Sequence, residues 1–359
     1  MIILGLKKLG YAILTLLGVV TVIFFMFSVL PGDPAQMMLG QNQSQEQINQ
    51  VKQKYGFDQP VSTQYLYYLN DLSPLSFHST RESHYTFLDS GKYNAFKLFE
   101  IGNTITVLKT PYLRESFQQN GRSVGSIIAE TLPNTAILAV SAIAIALAIG
   151  ILLGIFSAIY QDTFVDKSIQ ILSTLGMSVP SFFSAILFAW FFAFVLKDIT
   201  GLNMTGNLYE LDDFGEKREL ILKNLILPAV VLGIRPLAVV SQLMRNALLE
   251  QLQEDYIRTA RAKGLSEFNI IYKHAVKNAL NPVITAISGW FASMLAGAVF
   301  VEYIFGWIGL GKEIVNAFET LVSPVIMGAV LIIALMFILI NIFVDIIYAW
   351  LDPRIRYST

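Results

Sequence analysis

No cysteine occurs anywhere in the chain, so disulfides, thiolate zinc sites, iron–sulfur clusters and cysteine nucleophiles are all excluded. Histidine is scarce, with three residues, which leaves little from which to build a metal site. His78 and His84 lie close in sequence, and solvated loop histidines are the expectation for both. Charged residues make up 14% of the 359 positions, against about 25% in a soluble domain. The two signs nearly cancel at a net charge of −1, so nothing points to nucleic acid as a partner. Apolar residues fill the space instead, at 54% of the chain. That is the composition of an integral membrane protein.

A membrane-spanning helix needs about 20 predominantly apolar residues, and six runs answer that description: 9–30, 136–159, 169–196, 225–249, 283–300 and 325–350. Lys7 and Lys8 precede the first run, and Leu30-Pro31-Gly32-Asp33-Pro34-Ala35 after it does not look like a signal-peptide cleavage site. An uncleaved first helix (1–30) with a cytoplasmic N-terminus is expected. The second run carries Gly150-x-x-x-Gly154, a spacing that allows close helix packing. In the third, Ser178-Val179-Pro180-Ser181 interrupts the run near its middle, and Pro180 predicts a kink. Residues 31–120 read as a large extracytoplasmic loop domain, with a helix over 44–55. A transmembrane domain follows over 121–350, containing a cytoplasmic loop at 250–282, and 351–359 form a tail. The segment 197–223, with Asp212, Asp213, Glu216, Lys217 and Arg218, is too charged to be buried. The fold class expected is all-α with six spans. Basic residues concentrate on the segments assigned to the inner side, which places both termini in the cytoplasm.

The longest strongly polar stretch of the second half, 254–282, contains two expected short helices. On a 3.6-residue wheel Tyr256, Ile257 and Ala260 share one face, with Glu254, Arg258 and Arg261 opposite. Gly264 predicts a left-handed helix stop, and Ser266 an N-cap. Phe268, Ile271, Tyr272, Ala275 and Ala279 form an apolar stripe in the second helix, with Lys273 and Lys277 opposite. Pro282 marks the step into the next apolar run.

Other chemistry is poorly supported. Gly306 to Lys312 spells G-x-x-x-x-G-K, but Glu313 follows where Ser or Thr must hold magnesium. The chain is not expected to hydrolyse ATP. Ser288-Gly289 lacks the preceding glycine of a nucleophile motif, and His274 lies in the polar loop. Glu302 falls at an outer helix end and Asp345 near an inner one, whereas ion-driven carriers keep ionisable groups at mid-membrane. Arg235 is left as the one charge deep in a span, either lining a watery path, snorkelling outward or pairing with Glu302.

The loop's wording resembles a known family. RTARAKGL (258–265) followed by KHAVKNALNPVIT (273–285) is similar to the coupling loop of ABC importer permeases in the dipeptide and oligopeptide branch. The general motif, Glu-Ala-Ala, three residues, then Gly, anchors on Gly264 and sets Arg258, Thr259 and Ala260 on its triplet, so one Ala is kept. Its closing Leu-Pro is replaced by Val276 and Lys277, as in the peptide branch. LPGDPA (30–35), YGFDQPVSTQYLYYL (55–69), SFQQNGRSVGSIIAETLPNT (116–135) and DPRIR (352–356) also resemble that branch. The match lapses over about 73–110, which looks like an insertion. The resemblance implies a type I ABC importer permease fold and a coupling loop of Asp255, Tyr256, Ile257, Arg258, Thr259, Ala260, Arg261, Ala262, Lys263 and Gly264 seated on a separate ATPase subunit. Arg235 and Pro180 are the candidates for the translocation path. A second, homologous permease, two ABC ATPases, an extracytoplasmic solute-binding protein and membrane lipid are the implied partners. No cofactor is expected in this chain, with ATP and Mg on the ATPases. Di- or oligopeptides are the expected cargo, with nickel or another small solute as the alternative in the family and an ion-coupled secondary transporter as the alternative class. The plasma membrane is the expected location, the inner one in a Gram-negative cell.

Overall fold

The computed structural model describes residues 2–29, 34–39, 44–82, 84–89, 91–116, 119, 121–212, 214–320 and 322–351. Residues 30–33 and the 352–356 motif lie outside that set, as do the side chains of Lys7, Ser288 and Asp345. The chain forms two compact units, residues 1–130 with 316–334, and residues 131–315 with 335–359.

The first unit opens with α1 (Ile2–Val29), followed by α2 (Pro34–Leu39), α3 (Gln45–Tyr55) and α4 (Val61–Leu72). Ser44 and Gln47 close a capping box on α3, and Gly56 ends it at φ +71°. Val20, Ile23 and Phe24 of α1 pack with Tyr68 of α4 and Met327. The all-α expectation is corrected here. Strands β1 (Leu75–Ser79), β2 (Ala95–Ile101) and β3 (Thr104–Lys109) form an antiparallel sheet in the order β1-β3-β2. The run Thr104-Ile-Thr-Val107 is β-branched throughout, and such residues fit a pleated surface better than a helix.

Strand alternation also overturns the expectation for His78. With Ser76 it points inward from β1 and is buried, its ring bonded to the Ser76 hydroxyl (3.0 Å) and the Thr86 carbonyl (3.1 Å). Burial pushes its pKa down. His84 is exposed, as expected. Buried Asp71 of α4 ties that helix to the segments flanking the sheet, accepting from Arg114 Nε (3.0 Å) and the Tyr93 hydroxyl (3.2 Å).

The helix α5 (Val124–Ile159), most of it in the second unit, starts well before the expected 136 and continues through Pro133. Next come α6 (Phe164–Ser178) and α7 (Ser181–Phe188), which runs on in wide π turns over Ala189–Val195, then α8 (Lys197–Thr200). The charged loop is a hairpin of β4 (Tyr209–Leu211) and β5 (Arg218–Leu220). α9 (Lys223–Gln251), α10 (Asp255–Ala262), α11 (Glu267–Asn269), α12 (Val276–Gly297), α13 (Val299–Phe305), α14 (Leu310–Glu319) and α15 (Ser323–Leu351) complete the order. Among the described residues four helices are long and apolar enough to cross a membrane, within α1, α5, α9 and α15. The expected third span is not a kinked helix. α6 and α7 meet at 110° across the Val179-Pro180 break. Pro180 has no amide hydrogen to bond back to α6 and instead starts α7 as its N-cap.

Close packing joins α5 to α9. A Cβ at Gly150 would sit 2.8 Å from the Leu237 carbonyl, and one at Gly154 2.6 Å from both Met244 Cβ and the Ser241 carbonyl. Gly233 lies as tightly against the Ala142 carbonyl. An ion pair pins α6 to the same helix. Arg245 of α9 grips buried Asp166 through Nε (2.8 Å) and Nη2 (2.6 Å), while the Ser157 hydroxyl of α5 donates at 2.5 Å.

Candidate functional site

The polar stretch folds as a corner. α10 ends at Ala262, Gly264 turns the chain at φ +75°, and α11 begins after Ser266. Ser266 occupies the cap position without a side-chain hydrogen bond to the helix. The second helix does not stop before the next apolar run. It passes from α11 through a π turn at Ile270–Ala275 directly into α12, with Pro282 inside it. Burial of Ala275, Ala279 and Val283 on either side of the proline holds that helix through the lost hydrogen bond.

The wheel correctly paired Ile257 with Ala260, and both are buried. They face this chain's own core, among Met244, Leu248, Ile270 and Ala279. Tyr256 is not part of that inward face. It is exposed, its hydroxyl donating to Gln251 Oε1 (2.8 Å) and accepting from Asn278 Nδ2 (3.1 Å), so it laces the end of α9 to α12. Arg258, Thr259, Arg261, Ala262, Lys263 and Gly264 are exposed, as is Asp255. Arg261 forks onto Glu267 across the corner, at 2.9 and 3.3 Å, and holds that carboxyl below its usual range. Two residues of the apolar stripe are on the surface. Phe268 and Tyr272 stack 4.5 Å apart, with 67% and 41% of their surface exposed. Their i, i+4 spacing was the available signal, since such pairs meet on one helix face.

The second candidate region is the break. α6 ends there, and Arg235 of α9 donates from Nη2 to the Met177 carbonyl at 3.3 Å, where a cation suits the negative end of a helix. A cavity of about 90 Å³ opens beside it, lined by Val179, Ser181, Ser184, Arg235 and Trp290. Pro180 is exposed, and its two neighbours supply the lining. Glu302 does not answer Arg235. Its Oε2 accepts from the amides of Gly311 (2.7 Å) and Lys312 (3.2 Å), so the G-x-x-x-x-G-K stretch wraps this chain's own carboxylate. Nearer the end of the same helix, Arg245 pairs with Asp166. No local pattern announces that pair, whose members are 79 positions apart.

Four helices long and apolar enough to cross a membrane, with glycine-packed α5 and α9 and a polar corner where α10 meets α11, define a multi-pass membrane protein. The chain belongs to the family of binding-protein-dependent transport system inner membrane components, whose pattern matches residues 150–357. The N-terminal pattern of the same membrane components matches residues 1–82. The dipeptide transport system permease protein DppB of Alkalihalophilus pseudofirmus is 32% identical over 98% of this chain and 99% of its own length. The di/tripeptide permease DppB of Pseudomonas aeruginosa is also 32% identical, over 98% of each. A Brucella suis protein with a provisional peptide-permease name reaches 34% over 95% of each. Among solved structures, a chain of the MetNI methionine ABC transporter in an inward-facing form superimposes with a TM-score of 0.51 at 14% identity, covering 63% of this chain and 97% of that one. The fold is that of a type I ABC importer permease.

Proposed function

We propose that the chain is the permease subunit of an ABC importer that moves di- or oligopeptides, powered by ATP hydrolysed on partner subunits. The observation that carries this reading is the end-to-end similarity to permeases named for dipeptide transport. Six crossings are proposed, with the 121–350 domain in the membrane, 31–120 outside and both termini inside. The assembly pairs the chain with a homologous permease, two ATPases holding ATP and Mg, and an external binding protein.

Within it, residues 255–264 form the coupling loop. Ile257 and Ala260 root α10 in the permease, while Arg258, Arg261, Phe268 and Tyr272 meet the ATPase. Apolar anchors with a charged rim are the mixture expected of such a contact. Arg235 and the Pro180 break belong to the translocation path. The test is ATP turnover and trialanine uptake, measured side by side in vesicles holding the whole complex. Phe268→Ala with Tyr272→Ala should leave folding within about 0.5 kcal/mol and lower uptake per ATP. Wild-type values for both rates would retire the coupling role. Uptake without ATP would retire the importer reading.

A further inference from the structure

Resting on the reading that Arg235 belongs to the path, we propose that the cavity at the α6–α7 break is a carboxylate station, which takes the C-terminal carboxylate of a peptide in transit. Arg235 lies twelve residues into α9, about 18 Å along its axis. A lipid-facing arginine at such depth costs roughly 2.5–3.5 kcal/mol, yet Arg235 is exposed on this chain. Its guanidinium carries five donors. Among the described residues it finds the Met177 carbonyl at 3.3 Å and no carboxylate.

Ser184, 8% exposed, lines the same cavity. Ser181 opens α7, whose first-turn amides have no acceptor within the helix, and Trp290 offers an indole N–H. These donor-bearing residues line a space that has no acidic side chain in its wall. About 90 Å³ suits a carboxylate with its waters and excludes a whole peptide. A carboxylate would replace one long bond to a carbonyl with charge-assisted, forked bonds to the same guanidinium. The site thus reads one end of the cargo and ignores its side chains.

The chain's lack of cysteine makes the test clean. Ser293→Cys places a thiol on the exposed rim of the cavity, in the whole complex in lipid nanodiscs. Its modification by a sulfonate-bearing and by a trimethylammonium-bearing methanethiosulfonate is followed by mass spectrometry of this chain. The expected result is about a tenfold preference for the anionic reagent, lost with Arg235→Gln, kept with Arg235→Lys and reduced with Ser184→Ala. Trialanine should slow the reaction and trialanine amide should not. Equal rates for the two reagents, a preference indifferent to Arg235, no reaction with either reagent, or equal protection by acid and amide would each overturn the station. Failure of the unmodified complex to take up trialanine would instead count against peptide cargo, and the reagent preference, which needs no peptide, would still judge the cavity.

Discussion

Two interruptions of the helical chain, the Gly264 corner and the Pro180 break, resolve the same problem in opposite ways. At the corner, glycine accepts a left-handed backbone and the chain folds back on itself. Ile257 and Ala260 are sealed inside, and Arg261 finds Glu267 across the turn. At the break, proline withholds a hydrogen bond, the helices part at 110°, and Arg235 finds one carbonyl. The first kind of interruption seals its apolar face and pairs Arg261 with Glu267 and Arg258 with Asp255. The second leaves Arg235 with one carbonyl beside an open cavity.

The sharpest way to break that contrast is the node both regions hang from. Asp166 fastens α6, which ends at the break, to α9, which leads to the corner. Asp166→Asn leaves Arg245 partly buried and unpaired, and should cost about 3–5 kcal/mol in unfolding of the detergent-solubilised protein. Adding Arg245→Met should recover much of that loss. A single variant that unfolds like wild type would mean that the two regions are not held in common.

A smaller effect sharpens the claim that Arg235 is free of Glu302. Burial raises the Glu302 carboxyl from 4.5 to about 7, and the Thr135 hydroxyl and the Lys312 and Gly311 amides pull against that rise. The folded state therefore holds its proton more tightly than the unfolded one. Its contribution is full below pH 4.5 and is lost as pH rises through about 7, on the order of 3 kcal/mol in all. Glu302→Gln should flatten that part of the stability-versus-pH curve, and Arg235→Gln should leave it unchanged. A curve altered by Arg235→Gln would reinstate the pairing.

The least costly change probes the corner alone. Nothing crowds a Cβ at Gly264, so Gly264→Val acts through its left-handed backbone, at about 1–2 kcal/mol. Protease cleavage at residues 262–266 should rise while the α6–α7 break stays protected. Cleavage appearing at both places would show the two interruptions to be one cooperative element.

Much of this molecule was determined by its sequence alone. Low charge and six apolar runs specified a membrane protein, because burial in lipid leaves few other compositions. The left-handed turn at Gly264 followed from the residue itself, as did the helix started by Ser44 and Gln47. That α5 packs closely was legible in Gly150 and Gly154, since small residues four apart allow backbones to approach, but that α9 is the partner was not. Tertiary structure decided what periodicity cannot. A helical wheel paired Ile257 with Ala260, but which neighbour they face depends on where α9 and α12 lie. The same holds for Phe268 and Tyr272, whose apolar rings are outside because the core beneath is already filled by Ile270 and Ala275. Alternation in 75–109 was masked by aromatic composition until pairing made a sheet and buried His78. The grip of Arg245 on Asp166 and the opening beside Arg235 belong to the assembled fold, because each joins residues that no local spacing brings together.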